Sequence, residues 1–288
     1  MPEALDALTK SLLQAATKAG ADAADAMAIT ASSVSIEVRG GALEQAERSE
    51  GTDIGLRVFV GHCSANVSAS DTSSRTIEEM AERAVAMARE APEDPHSGLA
   101  DPDQLSARRD AEGLELCDPT PEPSPETLQD DAARAEAAAL AVKGVSQVQS
   151  AGAGYGAQKI YLAATNGFEG GYARSERGLS CVAIAGSGTG MERDYDGDSR
   201  IFQTDLRDAG DIGARAGERA LARLGARKPP TGSYPVLFDE RIAASLIGHL
   251  LGAINGQAIS RGASFLRDAM GEQVLPEGLS LIEDPSRI

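Results

Sequence analysis

Between residues 34 and 69 the side chains alternate between apolar and polar, and glycines punctuate the alternation. Val34, Ile36 and Val38 share one parity, Gly40-Gly41 follows, and Leu43 opens a return run. Ile54, Leu56, Val58 and Val60 alternate again before Gly61-His62 turns the chain into residues 64–69. A period of two puts every second side chain on one face, and paired glycines supply the positive φ that a tight hairpin needs. Four antiparallel strands are expected here, buried on one face only. Helices must then cover that face. An amphipathic run over 5–19 (Leu5, Leu8, Leu12, Leu13, Ala16) ends at Gly20 and precedes the strands. A second run over 76–90, capped by Thr76, turns Ile77, Met80, Ala81, Ala84, Val85 and Ala88 inward. Helix, sheet, helix makes a two-layer α+β unit.

The pattern then repeats in outline. Residues 92–125 are rich in proline, aspartate and glycine and read as a linker with one short strand at 114–117. Ser124-Pro125-Glu126 opens a helix with an N-cap, a proline at its first position and an acid in its first turn. Strands are expected at 145–155, 159–166, 169–186 and 189–194, with a strand-like piece at 201–206 and a helix over 209–224. A linker, "ARKPPTGSYP", leads to a short buried strand at 235–238 and an apolar helical pattern from Arg241. The expected division is therefore 1–117 and 118–228, two α+β units of antiparallel sheet with flanking helices, and 229–288, the beginning of a β-rich C-terminal domain. The first two hint at a duplication, although their sequences are too dissimilar to establish one. Aromatics make up only 3% of the chain and tryptophan is absent, so these cores must be built from small aliphatics, which favours sheets with helices laid on one face.

The formal net charge of −17 argues against a nucleic-acid partner, because a surface of that sign repels phosphates and the one basic stretch, 215–228, is interrupted by Glu218. Cys63, Cys117 and Cys181 are odd in number, far apart and in no C-x-x-C pair, which fits a reducing cytosol. The N-terminus lacks the basic start and apolar core of a signal peptide, and no apolar run is long enough to cross a bilayer. A cytoplasmic protein is expected.

His249 lies in the middle of the helix that follows residues 235–238, the place a zinc-protease ligand occupies. Zinc requires ligands that share a helix face. One turn before His249 stand Ala244 and Ser245, and one turn after it Ile254 and Asn255, so no second donor faces the same way. A histidine packed on an apolar helix and bonded to backbone is the plain reading, with a triad of Ser245, His249 and Asp239 as the sharper alternative. Asp194, Asp196, Asp198 and Asp205 echo a calcium loop, but Ser199 and Asp205 occupy positions where such loops have glycine and glutamate; a solvated acidic turn accounts for them better. The glycines of "AGSGTGMERD" lack the third glycine and the helix of a dinucleotide fingerprint.

The segments "GGALEQAERSEGTDIGLRVFVG", "AVAMAREAPEDPHSGLAD", "TNGFEGGYARS" and "GHLLGAINGQAISRGASFL" resemble signatures of the TldD/PmbA family, also called peptidase U62 or modulator of DNA gyrase. The resemblance covers nearly the whole chain. In that family two paralogous lines pair into one metalloprotease, and the TldD line carries His-Glu-x-x-x-His on the helix that corresponds to the one bearing His249. Ala244 and Ser245 stand where its first histidine and glutamate belong, so this chain resembles the PmbA (TldE) line. The resemblance implies a non-catalytic subunit with no cofactor of its own, a TldD-type partner that holds zinc, an unfolded or extended peptide as substrate, and a homodimer where that partner is absent. It places Ser264, Phe265 and Asp268, and with them His249, at surfaces facing substrate or partner. It also implies a longer C-terminal domain, so the sequence is expected to be truncated. Two other readings stay open: a stand-alone binding or scaffold protein, and an independent hydrolase with an unrecognised site.

Overall fold

A computed structural model of the chain describes residues 4–287. One compact unit runs to Ala226 and a second spans Arg227–Arg287. The first unit is an α+β structure built on one antiparallel sheet of six strands in the order β3-β2-β1-β4-β5-β6. The strands are β1 (Ala23–Arg39), β2 (Ala42–Val60), β3 (Cys63–Ala69), β4 (Val145–Ala164), β5 (Glu169–Ala185) and β6 (Glu192–Arg200). Four helices accompany them: α1 (Leu5–Ala19), α2 (Ser74–Glu90), α3 (Pro125–Ala141) and α4 (Ala209–Ala222).

The parity of β1 explains the arrangement. Ala24, Ala26 and Ala28 are buried, and so are Val34, Ile36 and Val38 further along the same strand. All six positions are even, so all six point to one face. The first three pack with Leu8, Leu12 and Ala16 of α1, with Ile77, Met80 and Val85 of α2, and with Ile54, Leu56 and Val58 of β2. The second three pack with Leu128, Ala132 and Ala135 of α3, with Ile212, Ala216 and Ala220 of α4, and with Leu179 and Cys181 of β5. Two helix pairs therefore cover one face of one sheet, and β1 belongs to both cores. On the opposite face Met27, Leu162, Tyr172 and Tyr195 are exposed.

Several elements differ from the sequence reading. The expected return strand and the run at 54–60 are one strand, β2, because β1 pairs with it from Ala23↔Phe59 to Arg39↔Ala42 with only one bulge, at Glu37/Val38. Residues 145–164 are likewise continuous, without the expected gap between 155 and 159, because β1 and β5 hold residues 156–158 extended from both sides. The N-cap of α2 is Ser73, whose side chain accepts from the Thr76 amide, rather than Thr76 itself. No strand forms at 114–117, since Glu115 takes φ 51°, outside the extended region. The piece at 201–206 holds a 3₁₀ turn, Gln203–Asp205, anchored where the Gln203 amide donates to Asp118 Oδ2 at 2.8 Å. No strand forms at 235–238 either: Leu237 is 98% exposed and the segment has no pairing partner among the described residues.

Two close approaches hold the layers together. Glu136 of α3 is buried, and its carboxylate accepts from the amides of Gly40 at 2.6 Å and Gly41 at 2.8 Å. Both glycines have positive φ (63° and 73°), which turns successive amides toward one acceptor. Where α3 crosses α4, a Cβ at Gly213 would lie 1.9 Å from the Ala135 carbonyl oxygen, so only glycine fits there.

Candidate functional site

In the second unit α5 (Glu240–Ala253) begins at Asp239, whose side chain accepts from the Arg241 amide at 3.0 Å. Glu240 in the first turn suits the positive end of the helix dipole. His249 lies in the second half of α5 and is exposed; its imidazole makes no hydrogen bond or ion pair among the described residues. The packed, backbone-bonded histidine expected from the apolar pattern is thus corrected, because in this unit Ile242, Leu246, Ile247 and Leu251 are exposed as well. Ala244 and Ser245, one turn earlier, carry no nitrogen, sulfur or carboxylate donor. A lone imidazole leaves most of the coordination sphere to water, so these residues do not fit a zinc ion. Among the described residues no group of three or more His, Cys, Asp or Glu could hold a metal. The triad is not assembled: Ser245 Oγ donates to the Ile242 carbonyl at 2.5 Å rather than to an imidazole.

Past α5, a short helix α6 (Gly256–Ser260) is capped by Asn255, whose Oδ1 accepts from Gln257 at 3.0 Å and Ala258 at 3.3 Å. Ser264 is buried, donates to the Ala253 carbonyl at 2.5 Å and accepts from the Leu266 amide at 2.9 Å, so its hydroxyl ties the following loop to the end of α5. Phe265 is 81% exposed. Asp268 is exposed and bonded by its neighbour Arg267, Nε to Oδ2 at 3.0 Å. No hydrogen bond or ion pair among the described residues joins His249 to Ser264, Phe265 or Asp268. Ser264 thus meets the end of the histidine's helix, while Phe265 and Asp268 face outward.

The first unit holds a feature that the sequence reading missed. The acidic run 194–198 is not a solvated turn. Asp194 and Asp196 are buried on the helix-covered face of β6, where α4 and the residues at its two ends bring arginines. Arg223 Nε donates to Asp194 at 2.7 Å, Arg207 Nη2 to Asp196 at 2.8 Å, and Arg219 also bonds Asp196. These pairs need no calcium. Next to them is a cavity of about 280 Å³, lined by Thr127, Asp131, Arg134, Arg177, Arg207 and Asp208, among others. Arg177 is buried and bonds Asp131 at 2.6 Å; burial lowers the pKa of its guanidinium, and Asp131 opposes that shift. Arg134 bonds Asp208, which, with the Gly210 amide, holds the Asp208 carboxyl below the usual range. Each arginine here already has an aspartate partner, so the cluster joins α3 and α4 to the sheet. The alternation of Asp with Arg193, Tyr195 and Gly197 was the available signal, since it puts three acids on one face of a strand.

Three domain profiles of one family match the chain: PmbA/TldA metallopeptidase domain 1 over residues 24–88, the central domain over 118–224 and the C-terminal domain over 231–288. Metalloprotease PmbA of Escherichia coli O157:H7 is 34% identical over 267 residues, which is 92% of this chain and 58% of that protein. The Metalloprotease PmbA homolog of Haemophilus influenzae is 33% identical over 278 residues, 95% of this chain and 60% of the relative. The chain therefore spans about six-tenths of the length of these relatives. Among solved structures, one assigned to a modulator of DNA gyrase from Bacteroides thetaiotaomicron shares the fold with a TM-score of 0.84 at 24% identity, over 93% of this chain and 61% of its own. TldE from Thermococcus kodakarensis does so with a TM-score of 0.68 at 16% identity, over 91% and 58%.

Proposed function

The chain belongs to the PmbA/TldD metallopeptidase family, and on that premise we propose that it is the non-catalytic subunit of a two-chain zinc metalloprotease that acts on unfolded or extended peptides in the cytoplasm. The observation that carries this reading is α5: a family named for metalloprotease activity is represented here by a helix with Ala244 and Ser245 one turn before a solitary, exposed His249. A peptidase needs a polarised water or an activated nucleophile. Ser245 is committed to a backbone carbonyl, Ser264 to another, and Cys181 is buried with its thiol pushed up to about 12. The metal therefore belongs to a TldD-type partner, and this chain helps enclose the peptide. His249, Phe265 and Asp268 are the residues assigned to the partner- or substrate-facing surface, supported by their exposure. The matched intervals support divisions near residues 117 and 228.

The test is a pull-down with the tagged chain from extract of its own cells, followed by metal analysis of what co-purifies. The expected result is a second family chain bearing His-Glu-x-x-x-His and the zinc, with none bound to this chain alone. One tightly held zinc per copy of this chain, lost in His249→Ala, would overturn the reading.

A further inference from the structure

The first half of β2 is an open sheet edge. Every residue from 42 to 51 is exposed, and β3 begins to pair only at Ile54↔Ala69. Among the described residues β1 is the only strand bonded to β2 over 42–53, and no turn or loop gives that stretch a backbone hydrogen bond. In an antiparallel strand the amides and carbonyls not used by one neighbour point to the other side. At about 3.4 Å per residue this leaves roughly 40 Å of unpaired backbone. Proteins usually blunt such edges by keeping them short, with charged side chains (lysine above all), with proline, or with a covering element. The opposite rim of the sheet follows that habit, since the aspartates of β6 are tied to Arg219 of α4 and to Arg223 at its C-terminal end. The stretch 42–53 has no proline and no lysine.

Its charge says what could cover it. Within the stretch four acids, Glu44, Glu47, Glu50 and Asp53, stand against one cation, Arg48, a net charge of −3. Arg48 is bonded to Glu50 and Glu122, and Arg39 from β1 bonds Glu44 at 3.2 Å, which leaves Glu47 with no arginine or lysine partner among the described residues. Glu47 pairs opposite Ser35 and Glu50 opposite Ser32, which places acids on both faces of the edge. A second copy brought edge to edge would add the same acids to a surface whose formal net charge is already −17. An extended basic segment meets no such repulsion, and its lysines or arginines find an acid whichever face they take.

We propose that residues 42–53 of β2 dock an extended, positively charged polypeptide segment as an added antiparallel strand, with backbone bonds giving the pairing and Glu44, Glu47 and Glu50 the preference for basic sequence. The inference stands apart from the partner-subunit reading: it concerns binding by this chain alone, whereas that reading is decided by zinc and by cleavage in a mixture.

The probe is a fluorescein-labelled twelve-residue peptide of alternating lysine and threonine, followed by anisotropy, with hydrogen–deuterium exchange locating the contact. Three results are expected. The peptide binds saturably and slows exchange over 42–53; the same peptide with alternate residues N-methylated binds at least tenfold more weakly; and Glu44→Lys/Glu47→Lys/Glu50→Lys weakens the parent peptide at least tenfold. The single variant Glu47→Lys, with the same sign of effect, serves if the triple variant unfolds. Equal binding of the N-methylated peptide would reduce the contact to general attraction by an acidic surface and overturn the proposal. So would protection elsewhere, or a dimer in sedimentation whose β2 edge is already protected without peptide.

Discussion

Glu136 joins the two layers of the first unit through one carboxylate. Its two oxygens take the amides of Gly40 and Gly41, so the β1–β2 hairpin is fastened to α3. Removing the acceptor leaves two donors at a part-buried site, each worth about 1–3 kcal/mol when unsatisfied. Glu136→Ala is therefore expected to lower unfolding stability by about 3 kcal/mol in urea denaturation, and Glu136→Gln by less, because its amide keeps one acceptor oxygen. An unchanged midpoint for the alanine variant would show that water replaces the carboxylate. The residue was visible in the sequence without being read: it lies on the stripe Leu128, Ala132, Ala135, Ala139, where an acid needs a partner. That partner could not be named, since the hairpin glycines lie some 95 residues away. Cys181 is the converse case. It is buried with no special signal in its sequence neighbourhood, and burial, then Glu136 and Asp196, push its thiol up to about 12.

α4 shows what a single element contributes. Asp208 accepts from the Gly210 amide at 2.8 Å and bonds Arg134 of α3, so it both caps α4 and pins it to its neighbour. Loss of an N-cap costs about 1 kcal/mol. The folded-state pKa of Asp208 is lowered, chiefly by Arg134. Its contribution is therefore present above the unfolded aspartate range and is lost as pH falls through the folded value. Asp208→Ala should melt below the parent protein at pH 7, and the gap between the two should close as the buffer is taken down below about pH 4. A gap that stays constant across that range would mean the carboxylate's charge is not involved. Helices of this kind were legible, with α1 found at its own bounds and α3 at its own cap, because periodicity and caps are local. Strand ends were less so. The stretch before Ile54 and residues 156–158 read as gaps between strands, yet pairing from one or both sides holds them extended. The pairing of β1 with β4, which makes one sheet of two strand sets, joins residues more than 100 positions apart and has no local signature. The acid–arginine cluster was misread for the same reason, since β6 and α4 meet only in the fold.

For the molecule as a whole, the functional reading rests on a missing donor set rather than on a constructed site. Ligand spacing on a helix is a property of the sequence, and α5 forms where the apolar pattern placed it. The disposition of Ser264, Phe265 and Asp268 was not legible there, because loop side chains answer to hydrogen bonds such as Ser264 to Ala253 that no spacing encodes. The most direct measurement is cleavage of an unstructured peptide by three samples: this protein, a TldD-type chain, and the two mixed. The account predicts no cleavage by this protein alone, cleavage by the mixture above that of the metal-bearing chain by itself, and loss of that activity on chelation. Cleavage by this protein alone at the mixture's rate, or a mixture no better than the TldD-type chain, would contradict it.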